Sequence, residues 1–378
     1  MIDVIVAGAG PAGSLAAITL ARAGARVLMI DRDAFPRDKL GGDTLNPGAV
    51  AWLAARGLHG GPLTGARPLR GMRVSGPHAD VVARYADAAV ALALPRAILD
   101  HWLLTEAVAA GVRFESGLIV RAPLIDDRRG RPVVRGVIVS RRGSPAAPVR
   151  LPASITIAAD GRRSAIARAL GLIRHPLHPR RWAFGVYAEG IEGTSDVGEM
   201  HIRPNFYFGI APLTDGRCNV CLVTTPRPGA RPMDVIRRSV AAEPALAPRF
   251  VRARFDADVR VMGPLAVDAR AAGAEGVLLA GDAAGFVDPM TGDGLHLAMR
   301  GAELAAQEAV RVLEHGDFVE AVRRLDEARR ETLRPKQQFN RLLRRLTASP
   351  SAVRAGDVGA RVAPGLIRWA IRYAGDAA

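Results

Sequence analysis

Three glycines near the start of the chain have the spacing of a phosphate-binding turn. Gly8, Gly10 and Gly13 follow the apolar run 2–7, which is typical of a buried parallel strand. In such a turn the first glycine allows a tight bend, the second lets the backbone approach a pyrophosphate, and the third lets the next helix pack on the strand. That helix would direct its N-terminal amides at the phosphates. The residues expected to bind a dinucleotide here are Gly8, Gly10, Pro11, Ala12 and Gly13.

A single acidic residue ends the second apolar run of the same unit. Asp31 follows the run 27–30, after a helix that Gly24 stops. A carboxylate at this position can hold a ribose 2′-hydroxyl. It also disfavours the 2′-phosphate of NADP, because two like charges would meet. Strand, glycines, helix, second strand and acid therefore occur in the expected order within the first 31 residues.

A second glycine-rich stretch lies far along the chain, after the apolar run 277–280. Asp282 would stand at the carboxyl edge of the sheet, where its carboxylate can accept hydrogen bonds from ribityl hydroxyls. The helix that begins near residue 295 presents free amides that suit the charge of a reduced flavin. A nucleotide-binding unit needs only the first stretch, so both together indicate a long cofactor, and FAD fits. The expected contacts are Gly281, Asp282, Pro289, Gly292, Gly294 and Leu295.

Two further polar segments are candidates for the same site. Asp160 and Gly161 end the apolar run 155–159, although Asp-Gly is also a common turn. Lys39, Gly42 and Asp43 lie in a connection dense in turn-forming residues, just after the ribose-binding strand. Loops of this kind line binding sites, since a buried connection would leave polar backbone groups without partners. We hypothesise that Lys39 and Asp43 border the flavin ring, and a solvated surface turn is the alternative.

The two cysteines do not indicate a metal or redox centre. Cys218 and Cys221 lie in a strand-like run, where their odd spacing directs the side chains to opposite faces. This arrangement opposes both a disulfide and a shared metal, and no second ligand pair completes a zinc site. No metal is therefore expected, and FAD is expected to be bound non-covalently because no His or Cys stands where attachment would occur.

The order of predicted elements indicates two interleaved domains. Strand and helix patterns alternate early in the chain, the middle is rich in strands with a hairpin turn at Asp215-Gly216, and nucleotide-fold character returns from residue 276. The expected fold class is α/β: a Rossmann-like FAD-binding domain interleaved with an antiparallel β-sheet substrate domain, plus C-terminal helices. The expected boundaries are 1–75, 93–173 and 259–315 for the FAD-binding domain, 76–92 and 174–258 for the substrate domain, and 316–378 for the C-terminal helical region.

Within that C-terminal region the residues after 346 are expected to form a Gly- and Pro-punctuated tail with one final helix near 365–373.

Composition excludes several classes of function. The chain has 378 residues, 49% of them hydrophobic, with a formal net charge of +15. The positive charge is nearly all arginine and is scattered without a basic tail or aromatic platforms, so no nucleic-acid partner is expected. No apolar run reaches the length of a membrane span, and no leader precedes the first strand, so a cytoplasmic location is expected. Peripheral membrane contact through the C-terminal helices stays open.

The motifs together resemble a known family. The first glycine turn with Asp31, the internal stretch 159–164, and Gly281-Asp282 with Asp288-Pro289 are similar to the three fingerprints of para-hydroxybenzoate-hydroxylase-type flavoproteins. That superfamily includes aromatic hydroxylases, epoxidases, flavin halogenases and geranylgeranyl reductases, and the segments 35–43 and 289–294 are similar to the geranylgeranyl reductase branch. The resemblance implies Arg96 near the flavin and Val120 beside the adenine. The expected cofactor contacts are completed by Arg32, Lys39, Gly42, Asp43, Asp160 and Gly161.

Two departures from the reductase branch bear on the activity. Gly41 stands where the reductases usually carry a cysteine, and Gly209 stands where their aromatic strand carries a tryptophan. The same strand lacks the motif of the halogenases. By elimination the sequence favours an FAD-dependent monooxygenase, a hydroxylase or epoxidase, acting on a lipophilic or aromatic small molecule, with NADPH or NADH as transient reductant. The alternatives are an ene-reductase that saturates a carbon–carbon double bond and a non-catalytic flavin-binding protein.

No side chain is assigned as catalytic, because on this fold the protein positions the reactants and excludes water. The candidates for contact with the substrate lie on strands of the middle region, where ordinary sheet packing is an equally good interpretation. They are Tyr187, Met200, His201, Tyr207 and Cys221.

Overall fold

A computed structural model describes residues 2–39, 41–86, 89–128, 131–225 and 229–376 of the chain. In it, short strands dominate the first three quarters and helices the last. The strands are β1 Val4–Ala7, β2 Val27–Asp31, β3 Thr44–Leu45, β4 Arg67–Leu69, β5 Gly71–Ser75, β6 Asp80–Arg84, β7 Ala91–Ala93, β8 Arg113–Ser116, β9 Leu118–Arg128, β10 Arg131–Arg141, β11 Val149–Pro152, β12 Ile155–Ala158, β13 Ile173–Arg174, β14 Trp182–Glu189, β15 Gly198–Arg203, β16 Phe206–Pro212, β17 Arg217–Thr224, β18 Arg254–Phe255, β19 Arg260–Met262, β20 Asp268–Ala269, β21 Gly273–Ala274 and β22 Val277–Leu279.

The helices connect these strands or follow them. They are α1 Pro11–Arg22, α2 Pro47–Ala54, α3 Arg96–Ala109, α4 Ala165–Ala169, α5 Pro232–Ala241, α6 Gly294–His315, α7 Phe318–Thr332, α8 Arg334–Leu346, α9 Pro350–Val362 and α10 Pro364–Gly375. Short 3-10 turns lie at Gly281–Ala284 and Pro289–Thr291, between the last strand and α6.

A six-stranded sheet in the order β21-β22-β12-β1-β2-β8 forms the centre of the nucleotide fold. The strands β22, β12, β1, β2 and β8 run parallel, and β21 is antiparallel to β22. Every residue of β1, β2, β12 and β22 is buried, as expected for strands covered on both faces. Helices α1, α3 and α6 pack on one face, and the antiparallel sheet β9-β10-β11 covers the other.

A second, larger sheet carries the candidate substrate face. Its order is β18-β14-β17-β16-β15-β5-β6, with β19 also paired to β14. The strands from β14 to β17 are antiparallel, whereas β5 joins β15 in parallel. Helix α5 and the turn Ala247–Phe250 cover one face of this sheet through the apolar cluster that contains Phe208 and Leu222. The opposite face turns towards the nucleotide-binding domain.

The expected α/β class is confirmed: a parallel sheet of the dinucleotide-binding type, an inserted antiparallel sheet, and helices at the end of the chain. The proposed domain boundaries remain a prediction. Strands β5 and β19, which pair within the large sheet, lie just outside the ranges 76–92 and 174–258. Within the described residues, no helix combines the length and apolar character that crossing a membrane requires.

The C-terminal region contains one more helix than the sequence predicted. Helix α9 forms in spite of its two glycines, because Ser349 caps its first turn by accepting a hydrogen bond from the Ala352 amide. Pro350 stands at its first position, where a missing N–H has no cost. Val353 and Ala360 on its inner face are buried against the protein, and this packing outweighs the low helix propensity of glycine.

Candidate functional site

The three glycines of the first turn differ in what surrounds them, so each is needed for a different steric reason. A Cβ on Gly8, whose φ is +103°, would lie 2.4 Å from the Ala159 carbonyl oxygen, and one on Gly13 would lie 1.8 Å from the Gly8 oxygen. A Cβ on Gly10 would meet only the Arg37 guanidinium, at 3.7 Å. Gly8 and Gly13 are therefore required by the fold itself. Gly10 leaves space on the outer side of the turn, where a ligand can approach the backbone.

The two glycine-rich stretches meet in space. Strands β1 and β22 are parallel members of the same sheet with β12 between them, so their carboxyl ends share one edge. Gly281, with φ +58°, lies so close to the first turn of α1 that an added Cβ would be 2.6 Å from the Ala12 Cβ. The turn that follows carries the half-buried side chain of Asp282. Residues more than 260 positions apart in the sequence thus form one surface.

The helix N-termini at this edge are free to bind an anion. Helix α1 has Gly10 at its cap position, no side-chain cap and no acidic residue in its first turn. Helix α6 begins at Gly294, and the side chain of Asp293 does not cap it. Uncapped amides and the helix dipole favour a negatively charged ligand group at both positions.

Asp31 is held at the end of β2 by backbone amides. Its Oδ2 accepts the Ala9 N–H at 2.8 Å and its Oδ1 accepts the Asp33 N–H at 2.9 Å. These bonds fix the carboxylate beside the glycine turn, the place expected for a ribose-binding acid. Arg32, in contrast, points to solvent with 74% of its side chain exposed and pairs with Asp33 at 3.5 Å. The structure therefore does not bring Arg32 into the group of site residues.

A cluster of cations surrounds the gap between the two stretches. The buried carboxylate of Asp100 binds Arg96 through both oxygens, at 2.6 and 2.9 Å, and accepts a third bond from Arg37 at 3.1 Å. Lys39 is half-buried nearby, and burial together with the Arg96 charge lowers the pKa of its ammonium to about 8. Asp282 offsets part of this repulsion. Three basic side chains thus converge beside Asp282, and they favour a negatively charged ligand there.

The segment from Lys39 to Asp43 contacts the start of α6. An added Cβ on Gly42, whose φ is +78°, would lie 3.2 Å from Arg96 Nη1 and 3.4 Å from Leu295 Cγ. The Arg96 guanidinium also donates to the Gly41 carbonyl at 3.0 Å. Gly41 and Gly42 therefore lie against Arg96 of α3 and Leu295 of α6, and Asp43 beside them is buried. That Lys39 and Asp43 border the flavin ring stays a prediction.

Asp43 connects the cofactor side to the large sheet. It is 3% exposed, accepts the Arg96 backbone N–H at 3.1 Å, and accepts the Asn219 side-chain amide at 2.7 Å. The Tyr187 hydroxyl lies close to the same carboxyl. Burial raises the pKa of Asp43 to about 6, and burial with the nearby Asp43 charge raises the pKa of Tyr187. A carboxyl group that exchanges its proton near pH 6 and a phenol that keeps its proton at neutral pH therefore stand between the two domains.

The remaining fingerprint residues line the same edge. Asp160 follows β12, accepts the Ala165 N–H at 2.9 Å with one oxygen, and leaves its buried Oδ1 without a hydrogen-bond partner among the described residues. Burial raises the pKa of this carboxyl. Gly161 has φ +82°, and Val120 lies half-buried in β9, which packs against β2. Whether these residues contact the cofactor remains a prediction.

One face of the large sheet presents apolar side chains towards the cofactor region. Met200 and Cys221 both pair directly with Gly209, and Tyr207 lies two residues before Gly209 in the same strand. The side chains of Met200, Tyr207 and Cys221 therefore share this face. Together with Met290 and Phe286 from the loop before α6 they form one buried cluster. Burial raises the pKa of the Cys221 thiol to about 12, so this sulfur is an uncharged part of an apolar surface.

His201 lies on the opposite face and is not part of this cluster. Its Nδ1 is 2.7 Å from Ser75 Oγ and its Nε2 is 2.7 Å from a carboxylate oxygen of Glu199, which Arg249 also binds. All these groups are enclosed under the covering helix. The alternation of side chains along β15, which sends Met200 to one side and His201 to the other, explains why only one of the two neighbours faces the site. Cys218 likewise packs behind the sheet, away from Cys221.

A polar group closes the far end of the apolar face. The Tyr207 hydroxyl donates to the buried Asp288 carboxylate, whose other oxygen is 3.7 Å from Arg181. The Asn340 amide of α8 donates to the Asp288 carbonyl at 2.8 Å. Burial raises the pKa of both Asp288 and Tyr207. These bonds fasten the loop that carries Pro289 and Gly292 to the large sheet.

These features fit a bound FAD. The space beside Gly10 is the one position of the glycine turn where a ligand can replace a missing Cβ, and it faces the free amides of α1. Arg37 beside Gly10 matches the pyrophosphate, Asp31 matches a ribose, and the N-terminus of α6 matches the charged edge of the flavin ring. The ring would then lie between the Lys39–Asp43 segment and the apolar face of the sheet.

Sequence reasoning missed several members of this group. Arg37, Asp100 and Asn219 are joined to the predicted residues by the bonds described above, yet no motif contains them. The spacing of Arg96 and Asp100 by four residues on one helix is a signal for an ion pair, although nothing in the sequence says that the pair faces a cofactor. Asn219 stands two residues before Cys221 and hence on the same face of its strand.

Comparisons with known proteins agree with this geometry. A family model described as FAD binding domain matches residues 1–338. The menaquinone reductase of Mycolicibacterium smegmatis is 32% identical over 333 residues, which cover 81% of this chain and 75% of that protein. The digeranylgeranylglycerophospholipid reductase 2 of Methanopyrus kandleri is 30% identical over 335 residues, which cover 83% of this chain and 78% of that protein.

Solved structures show the same fold at lower identity. A geranylgeranyl bacteriochlorophyll reductase-like protein from Thermoplasma acidophilum has a TM-score of 0.77 and 21% identity, covering 93% of this chain and 89% of that one. The flavin-dependent brominase Bmp2 has a TM-score of 0.83 and 21% identity, covering 99% of this chain and 93% of that one. The chain therefore belongs to the FAD-binding para-hydroxybenzoate hydroxylase superfamily, with the geranylgeranyl reductases among its relatives, and it is an FAD-dependent oxidoreductase.

Proposed function

We propose that this oxidoreductase is an ene-reductase that saturates a carbon–carbon double bond in the isoprenoid chain of a lipophilic quinone or lipid. The observation that carries the proposal is the pair of relatives named above. They are similar over more than four fifths of the chain and are named as reductases of menaquinone and of digeranylgeranylglycerophospholipid. FAD, when bound and reduced by NADPH or NADH, supplies the hydride for such a reaction.

The apolar face of the large sheet supports a long hydrocarbon substrate. Met200, Cys221 and Tyr207 lie around Gly209, where an added Cβ would meet the Met200 methyl at 3.8 Å and the Cys221 carbonyl at 4.0 Å. These are ordinary contact distances, so the glycine leaves room for a ligand close to the backbone. Methionine side chains adapt their shape to an irregular apolar ligand at little cost. The surface thus suits a flexible chain better than a rigid polar metabolite.

The proton for the second carbon of the double bond can come from the group at Asp43. Tyr187 keeps its proton over the whole neutral range because its pKa is raised, and its hydroxyl lies close to a carboxyl group that exchanges protons near pH 6. Asn219 and the Arg96 amide orient that carboxyl from the other side. In the proposed reaction Tyr187 and Asp43 hold and deliver this proton, while the apolar face excludes water.

A monooxygenase is the second candidate. The specific observations in its favour are Gly41 and Gly209, which replace the cysteine and the tryptophan usual in the reductase branch. A glycine at position 209 leaves the face of the sheet without a side chain at this point. In this case the reduced cofactor would react with O2, and one oxygen atom would be transferred to the substrate.

Anaerobic turnover separates the two candidates. The FAD-loaded protein is reduced with NADPH without O2 and mixed with menaquinone, a geranylgeranyl lipid and a panel of lipophilic phenols. The proposal predicts that an isoprenoid substrate reoxidises the flavin and that the product, after any quinol has been returned to the quinone in air, keeps two added hydrogen atoms by mass. A product that appears only in air and gains one oxygen atom would establish the monooxygenase instead. NADPH oxidation that no compound stimulates would favour the non-catalytic flavin-binding protein.

A further inference from the structure

The last two helices carry an apolar surface that nothing in the described chain covers. Val358 and Val362 are four residues apart on α9, and Leu366 and Trp369 are three apart on α10, so each pair lies on one face of its helix. Val362 is 81% exposed and Leu366 is 68% exposed. An exposed apolar patch of this kind is unusual on a protein surface that faces water. It marks a site that contacts another apolar surface. We call these four residues the C-terminal apolar patch.

Basic side chains border the patch. Arg354 and Arg361 are exposed and lie seven residues apart along α9, beside the two valines. Arg368 and Arg372 are exposed and lie four apart along α10, and Arg372 follows Trp369 by three residues on the same face. An apolar stripe flanked by arginines is the pattern of helices that lie in a membrane interface, where the guanidinium groups reach the phosphates.

The charge of the whole region complements an anionic surface. Residues 334–376 contain nine basic side chains and two acidic ones. Both acids are directed inwards: Asp357 accepts the His78 and Ala79 amides at 2.9 and 2.8 Å, and Asp376 pairs with Lys336 at 2.8 Å and His296 at 3.0 Å. The outer side of the region is therefore basic as well as apolar.

The region is also joined to the site. Leu343 of α8 packs into the apolar cluster of the large sheet, and Asn340 binds the loop that carries Asp288. Helix α10 runs back along α8, since Phe339 contacts Trp369 and Tyr373. The patch thus lies one helix away from the face at which the proposed substrate would bind.

We infer that the C-terminal apolar patch docks on an anionic phospholipid surface, with the patch residues in the acyl boundary and the flanking arginines at the phosphates. Docking by itself does not depend on the reaction catalysed. Its use, the collection of a membrane-dissolved substrate, rests on the proposed function. The occupant is a lipid surface rather than a protein because the apolar residues and the uncompensated positive charge occur on the same helices.

Vesicle flotation tests this inference with the FAD-loaded protein. Vesicles of phosphatidylcholine with roughly 30 mol% phosphatidylglycerol should bind the protein, and vesicles of phosphatidylcholine alone should bind it at least about tenfold less. The double variant V362S/L366S should lower binding by about tenfold or more while keeping its FAD. The matched control is L177S/V251S, because these side chains are equally exposed, at 75% and 79%, but lie elsewhere. R361E/R368E should abolish binding, whereas R150E on β11 should not.

Three results would overturn the inference: equal binding to neutral vesicles, unchanged binding of V362S/L366S, or a wild-type dimer that this variant dissociates without any vesicle binding. The proposed function is tested separately with detergent-dispersed substrate. If V362S/L366S binds vesicles like the wild type and turnover in detergent persists, only docking fails. If vesicle binding behaves as expected and no isoprenoid substrate is reduced, only the proposed function fails.

Discussion

The glycine turn at the cofactor edge and the apolar face of the large sheet are built in opposite ways. In the turn, Gly8 and Gly13 touch backbone atoms so closely that no side chain fits, and the geometry follows from three residues within one local motif. On the sheet face, Met200, Tyr207 and Cys221 come from three strands and meet through pairing alone. In the first region only glycine fits at these two positions. The second is held together by strand pairing, and we expect the choice of substrate to be made there.

The largest expected effect comes from placing valine at two glycines of the same turn. Gly13→Val should destabilise the protein by more than about 4 kcal/mol, because the new Cβ would lie on the Gly8 carbonyl. Gly10→Val should fold, since its extended backbone and surroundings accept a side chain, but FAD affinity should fall at least about a hundredfold. Thermal unfolding and FAD titration measure the two effects. A Gly10→Val protein that keeps FAD would contradict the placement of the pyrophosphate.

The next effect concerns the boundary between the two regions. The folded-state pKa of Asp43 is raised to about 6, above the ordinary value of 3.8, because the carboxyl is buried. Its protonated form therefore stabilises the fold below about pH 4, and this contribution is lost as the pH rises through 6. Relative to Asp43→Asn, the apoprotein should lose up to about 3 kcal/mol of unfolding free energy between pH 4 and pH 7.

Urea unfolding at several pH values measures this difference. The control is Asp215→Asn, because the pKa of that exposed carboxyl is lowered by Arg217 and its contribution must change in the opposite sense, being lost as the pH falls. A wild-type curve parallel to that of Asp43→Asn between pH 4 and pH 7 would show that Asp43 is ionised throughout, and it would remove the group from the proposed proton path.

A smaller effect is expected at the second glycine-rich stretch. Asp282→Ala should weaken FAD binding by at least about tenfold, equivalent to roughly 1.4 kcal/mol, because the carboxylate no longer accepts the ribityl hydroxyls. The fold should persist, since Asp282 is half-buried in a turn. Asp258→Ala, in an exposed loop, serves as the control. Wild-type affinity in Asp282→Ala would mean that the end of β22 closes the site without binding the cofactor.

The Lys39 segment should affect rate more than affinity. In stopped-flow experiments Lys39→Ala should slow reduction of the flavin by NADPH by about tenfold, which corresponds to about 1.4 kcal/mol in the barrier. Its ammonium stands beside Arg96 at the edge of the expected flavin position. Lys39→Arg, which keeps the charge, should recover most of the rate. If Lys39→Ala is reduced as fast as the wild type, the segment has a packing role only.

The same contrast explains how much the sequence could predict. The order of strand, glycines, helix and acid is local, and the structure places Gly8, Gly13 and Asp31 as their spacing requires. The meeting of Gly281 with Ala12 was predictable because parallel strands end at a shared edge. The bond between Asp43 and Asn219 joins residues 176 positions apart, and it depends on how one sheet is oriented against another domain. No periodicity encodes such an orientation, so Asn219, Arg37 and Asp100 were missed.

His201 shows the limit of pattern reasoning within a single strand. Histidine often takes part in catalysis, and the neighbouring Met200 faces the site. Whether the odd- or the even-numbered residues of β15 face the cofactor depends on the register of the whole sheet. Once β5 is paired with β15, Ser75 and Glu199 enclose the imidazole on the covered side.

In the proposed reaction Tyr187 and Asp43 supply a proton at the boundary between a fixed cofactor edge and an apolar substrate face. A single anaerobic turnover tests it most directly: wild type, Tyr187→Phe and the control Tyr85→Phe are reduced with NADPH, mixed with menaquinone, and followed by flavin reoxidation and product mass. We predict that the wild type and Tyr85→Phe yield a product that keeps two added hydrogen atoms after any quinol has been reoxidised in air, and that Tyr187→Phe does so at least about tenfold more slowly. Equal rates in all three proteins, or a product that forms only with O2, would contradict the account.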